Sequence, residues 1–178
     1  MRFAYDTEQA LLSAVDLVNS AAPPDTLTTI EELDDFYTRF GYTGRRDRTR
    51  AELDDVRAIR PRLRELLTAD RDGAVELVNE MLATAQAVPR LVRHDEYDWH
   101  VHAVDYQRPL ATRIIVETAM AMIDVIRADE MSRLDICADD ACDGIVLDLS
   151  RNRSKRFCCV ACGNRHAVAA YRQRQRAN

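Results

Sequence analysis

The sequence predicts a mainly α-helical fold: a helical N-terminal domain containing one short β-hairpin, followed by a small cysteine-rich module of short hairpin and helix. Three observations predict it. Apolar residues recur at helical spacing over most of residues 1–132, one stretch near residue 100 alternates with a period of two, and all five cysteines fall between Cys137 and Cys162.

The first helix carries Leu11, Val15 and Val18 on one stripe, with Leu12 and Leu17 flanking, and stops before Ala21-Ala22-Pro23-Pro24. Thr29-Ile30-Glu31-Glu32 is a capping-box start for a second, whose face of Ile30, Leu33 and Phe36 or Tyr37 ends near Gly41. A third opens after Thr49 and runs through Leu53, Val56, Ile59, Leu63, Leu66 and Leu67; Pro61 within it kinks the helix or marks a first turn. A fourth follows Asp72-Gly73, carries Leu77, Val78, Met81 and Leu82, and is closed by Pro89. Trp99, Val101 and Ala103 then alternate with His100 and His102, which with a turn at Asp95-Glu96-Tyr97-Asp98 predicts a hairpin from Leu91 to Val104. The last body helix starts at Pro109; Leu110, Ile114, Met122, Val125 and Ile126 give it a core face, and Ala111, Ala119 and Ala121 permit close packing.

The division falls near residue 133, giving domains at 1–132 and 133–178. Cys137-x4-Cys142 is followed by fifteen residues and then Cys158, Cys159 and Cys162. Two close pairs of thiolates across a hairpin-sized gap suit a tetrahedral zinc ion, because each short loop sets one pair and the gap lets the second close the shell. Either Cys158 or Cys159 can partner Cys162. Met1-Arg2-Phe3 runs into polar residues rather than a signal peptide, and no apolar run approaches the ~18 residues of a membrane span. A cytoplasmic protein with reduced thiols and no membrane partner is therefore expected, which favours metal over disulfides.

Charge is segregated. From Leu149 to the C-terminus there are eight Lys or Arg residues and no acid, so of the chain's 25 basic and 30 acidic residues the preceding part keeps 17 and 30, a net of −13. A short cationic end on an acidic body points to nucleic acid. Its candidate contacts are Arg151, Arg153, Lys155, Arg156, Arg165, Arg172 and Arg176. On a helix from Asn164 to Arg176, Arg165, Arg172 and Arg176 share one face, and Val168 and Tyr171 are expected to bury beside it. Some of the arginines can instead brace the fold, with Arg156 or Arg165 pairing with Asp148 or offsetting the negative zinc–thiolate centre.

In order, the knuckle Cys137 to Cys142, the strand Ile145-Val146-Leu147 and a helix after the last cysteine resemble a treble-clef zinc finger, in which Gly163 would let the backbone pass the metal. Arg133-Leu134 through Cys137, Asp148-Leu149-Ser150-Arg151-Asn152-Arg153-Ser154-Lys155-Arg156-Phe157-Cys158 and Cys162-Gly163-Asn164-Arg165 resemble the CGNR zinc-finger family, and Asp16-Leu17-Val18-Asn19 is similar to its N-terminal ABATE-type domain. That resemblance implies a stress-induced transcription regulator, hence duplex DNA as partner. It also places an aromatic residue before the third ligand, here Phe157, so the ligand set it implies for one structural Zn²⁺ is Cys137, Cys142, Cys158 and Cys162.

A small-molecule effector is expected at a body pocket drawn from Asp16, Asn19, Trp99 and His100, with Tyr97 and His94 nearby, and a homodimer is expected because one finger covers little DNA. His100-x-His102 lacks a third ligand at convincing spacing and reads as a hairpin face. A closed four-sulfur shell leaves no coordination site for water, and no phosphate loop, nucleophile elbow or paired-carboxylate constellation is present, so no enzyme is expected. The alternative to a DNA-binding regulator is a small-ligand-binding or protein-interaction protein whose zinc module is purely structural.

Overall fold

The computed structural model describes residues 3–93 and 99–177, with the backbone alone for His100, Arg176 and Ala177. The expected turn at residues 95–98, together with His94, lies outside the described residues.

Helix α1 spans Tyr5–Asn19 and α2 spans Ile30–Arg39. Thr29 caps α2 as its sequence predicts: its hydroxyl accepts from the Glu32 N–H at 3.2 Å, and the Glu32 carboxylate accepts from the Thr29 N–H at 3.0 Å. The expected single helix from Thr49 to Leu67 is two, α3 at Arg50–Ala58 and α4 at Arg60–Thr68, because Pro61 sits in the first turn of α4, where an absent N–H costs nothing. Helix α5, Arg71–Thr84, begins before Gly73 because Asp70 caps it by accepting the Gly73 N–H at 2.8 Å. Strands β1 (Arg90–Val92) and β2 (His100–His102) form the antiparallel hairpin, with Leu91 opposite Val101, and α6 covers Leu110–Arg127.

Helix α6 is the spine of the body. It packs along α1 on one side and α5 on another, and buries Leu110, Ile114, Ala119, Met122 and Val125. The alanines let the helices approach closely. An ionic cluster ties the connection between α1 and α2 to α4: Arg60, buried, donates to Asp25 at 2.9 and 3.1 Å and to the Ser20 hydroxyl at 2.8 Å, and Arg57 reaches Asp25 at 3.0 Å. The Arg60 hydrogen bond is the first reason that the Asp25 carboxyl lies down near about 2. No helix among the described residues is long and apolar enough to cross a membrane.

A short 3-10 turn, Met131–Arg133, leads into β3 (Leu134–Ile136), which pairs antiparallel with β4 (Ile145–Leu147); α7 then runs from Val160 to Ala177. The module is not a separate body. Ile145 and Leu147 belong to the same buried cluster as Leu11, Leu63 and Ile114, while Val146 between them faces Cys137 and Cys162. One strand thus serves two cores through its alternating faces.

Candidate metal centre

Four sulfurs converge beneath α7. One Sγ each from Cys137, Cys142, Cys158 and Cys162 lies within 4.8 Å of the others, with Cys142–Cys158 and Cys158–Cys162 both at 3.6 Å. Tetrahedral zinc with Zn–S bonds of about 2.3 Å requires S···S separations of about 3.8 Å. The donor set fits. Its chemistry asks for a cation too: burial first, then the sulfurs of Cys142, Cys162 and Cys137, push the Cys158 thiol up, and burial followed by Cys159 pushes Cys162 up to about 12. A bound dication would let such closely packed thiols ionise together near neutral pH. Cys137, Cys142, Cys158 and Cys162 hold one structural zinc.

The sequence builds this cage from two corners. In the knuckle, the Cys142 N–H donates to the Asp139 carbonyl at 2.8 Å, the Cys137 N–H to the Gly144 carbonyl at 2.8 Å, and the Gly144 N–H to the Cys142 sulfur at 3.4 Å. From the second corner, the Cys158 N–H donates to the Cys137 sulfur at 3.4 Å. Cys162 stands in the first turn of α7, where the helix dipole favours negative sulfur. The expected helix start at Asn164 is thus four residues late, because the α7 N-terminus is itself part of the site. The close approach needing glycine is at Gly144, not Gly163. A Cβ on Gly144 would meet the Cys158 sulfur at 3.0 Å and the Cys142 sulfur at 3.3 Å, whereas one on Gly163 makes only ordinary contact with Phe157 at 3.5 Å.

Cys159 is the odd thiol. It is exposed and lies 3.4 Å from Cys162, outside the four-sulfur set.

The basic residues divide into two groups. Arg165 donates to the Asp139 carboxylate at 2.8 and 2.6 Å and to the Cys162 sulfur at 3.0 Å, so it clamps the knuckle and offsets the thiolate charge. Arg153 donates to Glu130 at 2.6 Å and to the Ser132 hydroxyl at 3.0 Å. The Lys155 ammonium donates to the Leu147 carbonyl at 3.2 Å. Asp148, considered as a partner for Arg156 or Arg165, instead accepts the N–H groups of Ser150 and Lys155 and so folds the loop between β4 and α7. Arg151, Arg156 and Arg172 are exposed and meet no carboxylate among the described residues; Arg174, also exposed, is like them. The side chain of Arg176 lies outside the described residues. Val168 and Tyr171, expected to bury, are 48 % and 57 % exposed, because α7 meets the module through its first two turns, where Cys162, Arg165 and His166, which lies against Phe157, make the contacts.

The expected effector pocket is rearranged. A cavity of about 630 Å³ lies between α1 and α6 under the β1–β2 hairpin, and Trp99 lines it. Asp16 and Asn19 do not. Asp16 pairs with Arg39 at 2.8 Å, and Asn19 holds β4, donating to the Ile145 carbonyl at 2.8 Å and accepting its N–H at 2.7 Å. A carboxamide at the last turn of α1 serves as an artificial strand partner, docking the zinc module onto the body. The side chain of His100 lies outside the described residues. Sequence reading missed Glu117 and Arg113, which line the cavity from α6. Their signal was legible in the ionisable residues 113, 117 and 124 falling on one stripe of an otherwise apolar helix.

Residues 13–129 match the ABATE family, described as "Putative stress-induced transcription regulator", and residues 133–175 match the CGNR zinc finger. The first match covers well over half of the chain, which therefore belongs to the ABATE family. No curated protein matches it.

Proposed function

We propose that this member of the ABATE family is a zinc-dependent transcription regulator that docks on duplex DNA through its C-terminal module, while the helical body senses a small ligand. The observation carrying the reading is a set of exposed cations that meet no carboxylate among the described residues: Arg151, Arg156, Arg172 and Arg174 stand on an acid-free segment of a chain whose remainder carries −13. Exposed guanidinium groups without carboxylate partners suit phosphate oxygens, which position a protein on DNA without reading its sequence. The family's description as transcription regulators supports the same reading. One module covers few base pairs, so specific recognition calls for a dimer. The shell closed by four sulfurs supports a binding role rather than catalysis.

A bracing role for the module is the second reading, favoured by the bonds that Arg153, Lys155 and Arg165 make to Glu130, the Leu147 carbonyl and Asp139. Titrating zinc-loaded protein with a fluorescent DNA duplex separates the two. If about four cations meet phosphates, log K falls against log salt with a slope of about −3 to −4, and replacing Arg151, Arg156, Arg172 and Arg174 by Ala removes most of that slope. No binding at low salt, or binding indifferent to these four changes, favours bracing.

A further inference from the structure

The cavity of the body holds one carboxylate that the fold leaves unanswered. Several of its other polar groups bond within the fold. The Arg113 guanidinium donates to the carbonyls of Thr43, Arg45 and Arg108, the Thr7 hydroxyl donates to Asp124 at 2.7 Å, Asp6 accepts the Thr7 N–H at 3.0 Å, and the hydroxyls of Ser13 and Tyr42 share a hydrogen bond of 2.9 Å. Among the described residues none donates to Glu117 and none forms an ion pair with it, although it lines the cavity from the middle of α6. A half-buried carboxylate without a donor is costly unless something brings it a positive charge.

The space around Glu117 selects what that is. Phe40, Tyr42, Trp99 and Tyr106 contribute aromatic surface, with Val116 and Met120 on α6. Asp6 and Asp124 add further negative charge, whereas three of the five N–H groups of Arg113 bond to carbonyls and Arg127 is exposed. With three acidic residues against two arginines the lining does not favour anions, and aromatic faces attract cations. A volume of about 630 Å³ takes a ligand of the size that well-formed small-molecule sites enclose.

We infer that this cavity binds an organic ammonium ion, its charged nitrogen on the Glu117 carboxylate and its apolar or aromatic body under Trp99. The inference rests on the reading of the body as a sensor and names the ligand class of that sensor. Burial first, opposed by Arg113 and assisted by Asp6, raises the Glu117 carboxyl to about 7, so part of the unliganded protein carries a proton there that an ammonium ligand displaces. The other ionisable groups facing it are Asp6 and Tyr5 from α1, Tyr42 from the loop after α2, His102 from β2, Tyr106, and Arg113, Asp124 and Arg127 from α6.

The chain's single tryptophan, Trp99, stands in the cavity lining and reports occupancy by fluorescence. The zinc-loaded full chain is titrated with 2-phenylethylammonium, 2-phenylethanol and phenylacetate, which share a ring but differ in charge. The ammonium is expected to bind at least about tenfold tighter than the other two, and Glu117→Gln to bring it down to the alcohol's level while leaving the alcohol unchanged. Calorimetry near pH 7 in two buffers of different ionisation enthalpy gives a second readout on the unaltered protein, and net proton release on ammonium binding is expected. Equal affinities, a preference that survives Glu117→Gln, binding without proton release, or no saturable response to any of the three overturns the inference. DNA binding intact without ammonium binding refutes the ligand class alone. Ammonium binding dependent on Glu117 in a chain that ignores DNA refutes the regulator reading and leaves the cavity assignment standing.

Discussion

The helical body and helix α7 are held by different forces. In the body, Leu11, Leu17, Leu33, Leu53, Leu63, Leu66, Leu110 and Ile114 are wholly buried, so burial of apolar surface organises the helices, with ionic clusters such as Asp25–Arg60 at the seams. In α7, Cys162 is buried, but Val160, Val168 and Tyr171 are exposed, and the helix runs on into solvent. The part of α7 beyond His166 is 11 residues long, a length at which isolated helices are marginal in water. Zinc and the Arg165–Asp139 clamp fix its first two turns, whereas the β3–β4 hairpin beside it shares the body's core through Ile145 and Leu147. The boundary between what burial holds and what the metal holds therefore runs through the zinc module, not in front of it.

The largest effect should come from the metal ligands. Cys158→Ser is expected to release zinc, measured by elemental analysis, and to lower the helical signal by roughly the contribution of α7, because apparent zinc binding of about 10–16 kcal/mol goes into folding such modules. Cys159→Ser should leave zinc stoichiometry unchanged, and the reverse pattern would move the third ligand to Cys159. Arg165→Ala tests the clamp: a loss of about 10–100-fold in zinc affinity is expected, read by competition with a chelator.

Within the body the expected effects are smaller and depend on pH. Glu117 has a carboxyl raised to about 7 from its usual 4.5, so the folded state holds the proton more tightly than the unfolded one. Its penalty is absent below about 4.5, grows as pH rises and is complete above about 7. Glu117→Gln should accordingly stabilise the protein by about 2–3 kcal/mol at pH 8 and by nothing at pH 4, measured by denaturant unfolding. Asp25 has the opposite sign. Its carboxyl is held near about 2, below its usual 3.8, so its contribution is full above 3.8 and is lost as pH falls through 2. Asp25→Asn should cost about 1–2 kcal/mol at pH 7, allowing for solvent screening, and flatten the acid limb of the stability profile.

Much of this division is legible in the sequence, and the exceptions have physical reasons. Helices α1, α2 and α6 follow from apolar spacing and the Thr29–Glu32 cap; cysteine spacing points to zinc but leaves Cys158 and Cys159 open, and the family resemblance, with Phe157 before the third ligand, implies Cys158. The break between α3 and α4 was ambiguous because proline is compatible with both a kink and a new first turn. The double role of β4 was hidden because a run of three apolar residues does not say which core each faces. Asn19 does end α1, but it lines no pocket: the edge that its carboxamide meets comes from Ile145, far along the chain. Likewise, charge runs do not reveal which cations are spent internally, since the partners of Arg153 and Arg165, Glu130 and Asp139, are distant in sequence.

Hydrogen exchange of the full chain, with zinc and after its removal by a chelator under reducing conditions, tests most directly the claim that metal holds α7 while burial holds the rest. Loss of protection is expected in residues 137–144 and 156–177, with α1, α6 and the β4 amides that meet Asn19 and β3 remaining protected. Undiminished protection of α7 without metal, or a collapse of protection that includes α1 and α6, would contradict it.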